Sequence, residues 1–235
     1  MAEVRKPKSE GNPKAEIRKV LVCFAVKEEA RAFQKLSAGH SKIKVILVGI
    51  GKRNAERAIL AALAKERPQL VLTCGVAGGL RPDLAMGTVV FAADAETGLE
   101  SALLAAGARP ARFHCADRVA TTAEQKRALW QATGADAVEM ESQIICEVCR
   151  QAGIPSATVR VILDAANEDL PIDFNELMTS DQKMSCAKLA MSLVKSPGKI
   201  GALRRLQQES KAAAERLAQV LIVCWKSHRS LTTDH

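Results

Sequence analysis

Carboxylate side chains follow three apolar runs in this 235-residue sequence, at positions where buried strands would end. Glu28 and Glu29 follow the first run, Glu139 and Glu141 the second, and Asp164 the third. A carboxyl group can exchange a proton with a substrate, and an ionised carboxylate can accept hydrogen bonds from two hydroxyl groups at once. These residue types therefore predict proton transfer, or recognition of sugar hydroxyls.

Two glycine-rich segments also follow apolar runs, Gly49-Ile50-Gly51 and the stretch from Gly75 to Gly79. Glycine allows the backbone to approach a ligand closely. Neither segment contains the lysine of a P-loop, and neither opens a helix with the spacing G-x-G-x-x-G, so binding of nucleoside triphosphates or dinucleotides is not favoured. We predict that both segments form turns near the carboxylates.

The cysteines and histidines do not follow a metal-binding pattern. Cys146 and Cys149 form one C-x-x-C pair inside an apolar helical pattern, a second ligand pair is missing, and the chain has only 4 histidines. The cysteines number 7 and are scattered, which indicates reduced thiols and a cytosolic protein. We therefore predict no metal site and no organic cofactor.

Strands and helices are predicted to alternate along the chain, which is typical of an α/β domain with a mixed or mostly parallel sheet. The predicted strands are Val20–Val26, Ile43–Val48, Leu70–Cys74, Thr88–Ala93, Ala137–Met140 and Ala157–Leu163. The predicted helices are Lys27–Leu36, Lys52–Lys65, Ser101–Ala106, Thr122–Ala132, Glu141–Ala152 and two segments at about 173–195 and 199–225. Ligands of such sheets bind at the carboxyl ends of the strands, where the carboxylates and glycines are expected to meet.

Composition and charge exclude several classes of protein. The chain is 48% hydrophobic but has no run of about 18 uncharged apolar residues, so a globular domain is expected and a membrane-spanning protein is not. The net charge of +8 comes from residues 1–19 and 195–235, and only 3% of residues are aromatic, so no binding of nucleic acid is expected.

We predict a disordered basic leader at 1–17, one α/β domain at 18–195, and a basic amphipathic helix and tail at 196–235. That helix either packs on the sheet or rests on an anionic membrane surface.

Four segments together carry a family resemblance. Val48–Lys52, Thr73–Leu80, Val138–Ser142 and Val159–Asp164 resemble, in order and spacing, the motifs of the purine nucleoside phosphorylase / methylthioadenosine nucleosidase superfamily. The resemblance covers about residues 20–190. It implies a single-domain three-layer sandwich with a mixed central sheet flanked by helices, a homodimer, and cleavage of the N-glycosidic bond of a nucleoside.

Further segments are similar to one branch, the hopanoid-associated phosphorylases. They are Asp117–Lys126, Thr133–Ser142 and the tail pattern Ser196–Lys199, which precedes a basic helix. This likeness implies a small-molecule or lipid-linked substrate, namely a 5′-substituted adenine nucleoside that could carry a hopanoid group. It also fits a peripheral contact between the basic helix and an anionic membrane.

The superfamily resemblance assigns roles to individual residues. Asp164 matches the general acid that protonates the purine N7, and Glu29 matches the glutamate that orients the attacking water, with Glu28 as the competing candidate. Glu141 matches the acceptor of the ribose hydroxyls. The other residues implied to bind substrate are Glu139, Met140, Gly75, Val76, Gly78, Gly79, Ile50, Val119 and Phe174. Read without the family, Asp164 could equally cap a helix or join an ion pair, and Met140 and Phe174 could belong to the core.

Four positions depart from the family pattern. Thr73 replaces an arginine of the phosphorylases and Val76 replaces a hydroxyl residue, so the anion pocket lacks two usual phosphate contacts. Val119 replaces an aromatic residue that stacks on the base, and Leu163 replaces a small hydroxyl residue beside the acid. We therefore expect hydrolysis, with phosphorolysis or a catalytically impaired nucleoside-binding protein as the alternatives.

Overall fold

The computed structural model describes residues 19–179 and 198–233 of the chain. The described strands are β1 Val20–Phe24, β2 Ile43–Leu47, β3 Leu70–Gly79, β4 Val89–Ala93, β5 Arg109–Pro110, β6 Phe113–Cys115, β7 Ala137–Glu139 and β8 Ser156–Asp164. The described α-helices are α1 Lys27–Leu36, α2 Lys52–Lys65, α3 Glu100–Ala105, α4 Ala123–Thr133, α5 Ser142–Gln151, α6 Phe174–Leu177 and α7 Lys199–Thr233.

One mixed sheet organises the molecule. Its strands follow the order β2-β1-β3-β8-β4-β5, and β7 pairs with the far end of β3 and carries β6 on its other edge. The neighbours β1–β2, β1–β3 and β3–β8 are parallel, whereas β4 runs antiparallel to β8 and β7 antiparallel to β3. The antiparallel β7 turns its carboxyl end back toward the middle of β3, which brings Glu139 toward the centre of the sheet.

Helices cover both faces of the sheet because its central strands are apolar on both sides. Along β1, Val20, Val22 and Phe24 face a core that includes residues of α1, α3 and α7. Leu21 and Cys23 point the other way, into a core formed with α2 and α5. The predicted three-layer α/β sandwich is therefore confirmed. Within the described ranges, none of the helices combines the length and the apolar character that a membrane crossing requires.

The segment from Gly75 to Gly79 is a strand rather than the predicted turn. It continues β3, with Gly75 opposite Arg160 and Gly78 opposite Asp164, and the register shifts between Ala77 and Gly78. Pairing with β8 on one side and with β7 on the other keeps this segment extended despite its glycines. Sequence patterns also missed β5 and β6, which have only two and three residues.

The helix predicted at about 173–195 is short where the structure describes it. Helix α6 ends at Leu177, and Met178 adopts an extended conformation. The remainder of that prediction, from residue 180, lies outside the described residues.

Helix α7 packs against α1, α3 and β8 through its second half. Alanines at 213, 214 and 218 are buried there and allow a close approach to the sheet, while Leu217 and Trp225 fill the core. This agrees with the prediction of a helix packed on the sheet. Most of the apolar residues between Ala213 and Trp225 are buried, whereas Val223 is 47% exposed and Ile200, at the start of the helix, is 41% exposed.

The docking of α7 predicts a large difference between two apolar truncations on the same helix. Leu217 is 1% exposed, so Leu217→Ala should lower the free energy of unfolding by about 2–5 kcal/mol by leaving a cavity. Val223 is 47% exposed, so Val223→Ala should change it by less than about 0.5 kcal/mol. Urea denaturation measures both, and similar small losses would mean that α7 does not pack on the sheet.

Candidate active site

A buried arginine stands at the centre of the carboxylate cluster. Arg160 on β8 is 2% exposed, and its Nη2 donates to Glu139 Oε2 at 2.7 Å and to Thr73 Oγ1 at 3.1 Å. The same nitrogen lies 3.6 Å from Glu141 Oε2. A buried charge is tolerated only when it is paired and hydrogen-bonded, and these carboxylates meet that need. Arg160 therefore fixes where Glu139 and Glu141 can lie.

Glu139 serves as an anchor for the turn between β7 and α5. Its Oε2 accepts the backbone N–H groups of Glu141 and Ser142 at 3.0 and 2.7 Å, and its Oε1 accepts the Ser142 hydroxyl at 2.7 Å. Burial would raise the pKa of Glu139, but Arg160 and these hydrogen bonds outweigh burial and lower it. Its acceptor capacity is used by the protein, so Glu139 positions Glu141 rather than offering itself to a ligand.

Glu141 joins two loops that are far apart in the sequence. Its Oε1 accepts the backbone N–H of Gly51 at 2.8 Å, which holds the turn after β2 against the start of α5. Gly51 has a φ of +81°, a conformation that favours glycine. Burial raises the pKa of Glu141 to about 7. The positive charge of Arg160 opposes this rise, and the negative charge of Glu139 adds to it.

Glu29 reaches the same cluster from α1. Its Oε1 accepts the backbone N–H of Val76 at 3.0 Å, and its Oε2 is buried without a hydrogen-bond partner among the described residues. Burial raises the pKa of Glu29, while Val76 and Arg160 oppose that rise. Glu28 instead is exposed and lies 3.9 Å from Lys27. Of the two candidates, Glu29 is the one that the fold brings to the site.

Gly75 is enclosed by the charged groups of the cluster. Its φ is +152°, and a Cβ there would lie 2.8 Å from Arg160 Nη1 and 3.0 Å from both carboxylate oxygens of Glu29. No side chain fits in that space without displacing Arg160 or Glu29. The glycine is therefore required for these two charged groups to meet beside β3.

Asp164 ends β8 in a second group of contacts beside Gly78. Its Oδ2 forms an ion pair with Lys126 Nζ, a residue of α4 that sequence reasoning did not select. Burial raises the pKa of Asp164, while Lys126 opposes that rise. A Cβ on Gly78 would lie 3.5 Å from Asp164 Oδ2, and one on Gly79 would lie 3.2 Å from the Asp164 carbonyl oxygen. Both glycines thus let β3 pass close to Asp164.

One signal for Lys126 was present in the sequence. It lies three residues before Leu129, on the inward side of a helix whose other polar residues face outward. Leu163, where the family has a small hydroxyl residue, packs against the core and cannot hydrogen-bond to the acid. In this chain the polar support of Asp164 comes from Lys126 instead.

The remaining predicted residues surround these two groups. Met140, which lies between Glu139 and Glu141 in the sequence, is buried. The loop residues Ile50 and Val119 are half-buried, and so is Phe174 at the start of α6. The N–H of Val119 donates to Asn175 Oδ1 at 2.9 Å, and its carbonyl accepts from Asn175 Nδ2 at 3.0 Å. Asn175, which was also missed, ties this loop to α6.

The described residues hold no group of three or more His, Cys, Asp or Glu side chains arranged to bind a metal ion. Cys146 and Cys149 are both free thiols, and Cys149 belongs to the core between β1, α2 and α5. The C-x-x-C pair thus has a packing role in the structure. The chemistry available at the site is that of carboxylates, one guanidinium and one ammonium group.

The sequence profile of the phosphorylase superfamily matches residues 14–115 and 108–195, which together span most of the chain. The chain belongs to the phosphorylase superfamily. It is 28% identical over 180 residues to the 5′-methylthioadenosine/S-adenosylhomocysteine nucleosidase of Geobacillus thermodenitrificans, covering 62% of this chain and 76% of the relative. The corresponding Exiguobacterium nucleosidase is 25% identical over 191 residues, covering 67% and 82%.

Solved structures of this superfamily share the fold. Futalosine hydrolase of Helicobacter pylori aligns with a TM-score of 0.67 and 18% identity over 90% of this chain and 98% of its own. The 5′-methylthioadenosine/S-adenosylhomocysteine nucleosidase of the same organism, in complex with butyl-thio-DADMe-Immucillin-A, aligns with a TM-score of 0.66 over 91% and 100%. The family profile confirms the superfamily resemblance seen in the sequence, and with the nucleosidase relatives it shows that the chain is an enzyme. The hopanoid-associated branch stays a prediction.

The raised pKa of Glu141 predicts that its ionisation opposes folding. Between pH 4.5 and about 7 the folded chain keeps a proton on Glu141 that the unfolded chain loses, so the free energy of unfolding falls as pH rises. Glu141→Gln removes this titration, so its stability relative to the unmodified protein should rise by up to about 3 kcal/mol between pH 4.5 and 8. Urea denaturation across this range measures the difference. As a control, Glu56→Gln changes an exposed glutamate on α2, so its free energy of unfolding should vary with pH as that of the unmodified protein does. If Glu141→Gln also varied with pH in the same way as the unmodified protein, the raised pKa of Glu141 would be refuted.

Proposed function

We propose that this enzyme cleaves the N-glycosidic bond of a 5′-substituted adenine nucleoside by hydrolysis and releases adenine. The observation that carries the proposal is the docking of Glu29 against Val76 N–H, with its second oxygen buried beside Arg160 and Gly75. A base with a raised pKa suits the acceptance of a proton from water. The nucleosidase and futalosine hydrolase relatives support the same reaction class.

The sugar and the base each have a matching group in this proposal. Glu141 accepts hydrogen bonds from the ribose hydroxyls, since its Oε2 has only a long contact to Arg160 at 3.6 Å. Asp164 delivers a proton to the purine N7 as the bond breaks, because the departing base carries the electron pair of that bond. Positive charge that develops on the sugar is stabilised by the carboxylate of Glu29, and by that of Glu141 where it is ionised, above pH about 7.

The charge distribution argues against phosphate as the nucleophile. Arg160 is already paired with Glu139, and Thr73, which stands where phosphorylases have an arginine, accepts a hydrogen bond from it. Lys52 Nζ forms an ion pair with Asp117 Oδ1 at 2.8 Å. A phosphate ion beside Val76 would meet the carboxyl groups of Glu29 and Glu141, while Arg160 and Lys52 are already paired with other carboxylates, and like charges repel. Water has no such cost.

Four finer predictions accompany this function. The family resemblance predicts a homodimer, which size-exclusion chromatography with light scattering would measure, and the scattered cysteines predict a cytoplasmic location, which cell fractionation would measure. A lipid-linked, hopanoid-type 5′ substituent is also predicted, together with contact between the basic helix and anionic membranes. Because most apolar residues of α7 from Ala213 to Trp225 pack in the core, the apolar side chains of α7 that are open to such a contact include Ile200 and Val223. Sedimentation with anionic and neutral vesicles tests it.

The water-orienting role of Glu29 predicts product and rate. With 5′-methylthioadenosine as probe, the enzyme should release adenine and the free sugar at a rate independent of phosphate. Glu29→Gln should lower kcat by about 10²-fold or more because the amide cannot accept the proton. Glu28→Gln, its exposed neighbour, should leave kcat unchanged. Formation of a sugar 1-phosphate with saturable phosphate dependence would instead identify a phosphorylase.

The role of Asp164 predicts a loss of turnover in a variant that thermal unfolding shows to be folded, although the buried Lys126 loses its carboxylate partner. Asp164→Asn is nearly isosteric and should lower kcat by about 10²–10⁴-fold, because the amide has no transferable proton. Asp83→Asn removes a surface carboxylate paired with Arg81 and Arg109 and serves as the matched control. If Asp164→Asn turned over as fast as the control, Asp164 would not be the acid. Tight nucleoside binding without turnover by the unmodified protein would indicate an impaired nucleoside-binding protein.

A further inference from the structure

Lys126 is the one lysine that is buried among the described residues, with 0% of its surface exposed. It projects inward from the first turn of α4, and its ammonium group reaches the carboxyl end of β8. Long charged side chains are almost never fully buried unless they are paired. The position of this charge therefore calls for an explanation beyond packing.

The ammonium group of Lys126 meets three oxygen acceptors. It pairs with Asp164 Oδ2, and it donates to the carbonyl oxygens of Ala165 and Glu168 at 2.8 and 2.6 Å. Two of these contacts are hydrogen bonds to carbonyl oxygens, and the third is the ion pair with Asp164. The positive charge of Lys126 favours the ionised form of Asp164, against the effect of burial.

An ionised Asp164 has no proton to give. Among the described residues, the charged groups that act on its carboxyl are Lys126 from α4 and, farther along its own loop, Glu168, whose charge opposes ionisation, and the uncharged Gly78 of β3 lies beside it. Among these, Lys126 carries the transferable proton. Because Lys126 Nζ and Asp164 Oδ2 are in direct contact, a proton can pass between them without an intervening group.

We propose that Lys126 is a positioning residue that holds Asp164 ionised between turnovers and supplies the proton that Asp164 passes to the leaving base. This inference rests on the function proposed above. As the C1′–N9 bond breaks, its electron pair stays on the purine, a proton moves from Asp164 to N7, and a proton moves from Lys126 Nζ to Asp164 Oδ2. The water oxygen bonds to C1′ and its proton goes to Glu29. After product release Glu29 loses that proton to solvent and Lys126 takes one up, so one water is consumed in each turnover.

Two substitutions separate the charge of Lys126 from its proton. Lys126→Arg keeps a positive charge, but arginine does not give up a proton in proteins, so kcat should fall by about 10²-fold or more with KM nearly unchanged. Lys126→Met removes the charge, so Asp164 should retain its own proton and act alone. The alkaline limb of kcat should then move to lower pH than in the unmodified enzyme. Unchanged kcat for Lys126→Arg, or an unchanged pH profile for Lys126→Met, would overturn the proposal.

Infrared spectroscopy tests the ion pair without turnover. At neutral pH, the difference spectrum between the unmodified protein and Asp164→Asn should contain the band of an ionised carboxylate. The difference spectrum between Lys126→Met and the double variant Lys126→Met/Asp164→Asn should instead contain the band of a protonated carboxyl group. A protonated carboxyl in the unmodified protein, or a carboxylate in Lys126→Met, contradicts the inference. Thermal unfolding checks that each variant is folded, and Lys126→Met decides the question if the larger arginine is not accommodated.

The two proposals can fail separately. If the unmodified enzyme releases no adenine while the infrared bands are as expected, the proposed reaction is wrong and the ion pair stands. If the unmodified enzyme releases adenine and Lys126→Arg does so equally fast, the reaction stands and Lys126 supplies no proton.

Discussion

The buried guanidinium group of Arg160 is the interaction on which the site depends. It lies in the middle of the central strand β8 with Thr73 on β3, and it draws Glu139 and Glu141 from the β7–α5 turn toward the sheet. Removing one partner from a buried charge pair leaves the other charge uncompensated, which is far more costly than the net value of the pair. The backbone of the turn, the start of α5 and the loop at Gly51 are therefore all fixed by one side chain.

The same arginine gives chemically identical side chains different properties. Glu139 is hydrogen-bonded on both oxygens and its pKa is lowered, so it stays ionised as part of the framework. Glu141 and Glu29 are buried with fewer donors, and their pKa values are raised. Carboxylates whose environments separate their pKa values are suited to separate roles, one structural and others able to bind or exchange protons. Asp164 is set apart from them by its own cation, Lys126.

Glycine at β3 is what permits these groups to approach one another. A Cβ at Gly75 would overlap Arg160 and Glu29, and one at Gly78 or Gly79 would press on Val138 or Asp164. The strand remains extended because β7 and β8 pair with it on both sides. In one of the two helical layers, α7 packs against α1 and α3 and buries apolar residues in the core. The helix with the most basic sequence therefore contributes to the stability of the domain.

The sequence by itself determined the layered α/β architecture, because alternating apolar runs and amphipathic helices leave few other ways to bury their apolar faces. It also singled out Glu141, Asp164 and the pair Glu28 and Glu29 as candidates, since carboxylates that follow buried strands stand out locally. Only the tertiary structure decided that Gly75–Gly79 is a strand, that Glu29 rather than Glu28 points inward, and that Lys126 pairs with Asp164. These outcomes depend on contacts between residues 38 to 86 positions apart, whose register and burial no local pattern contains.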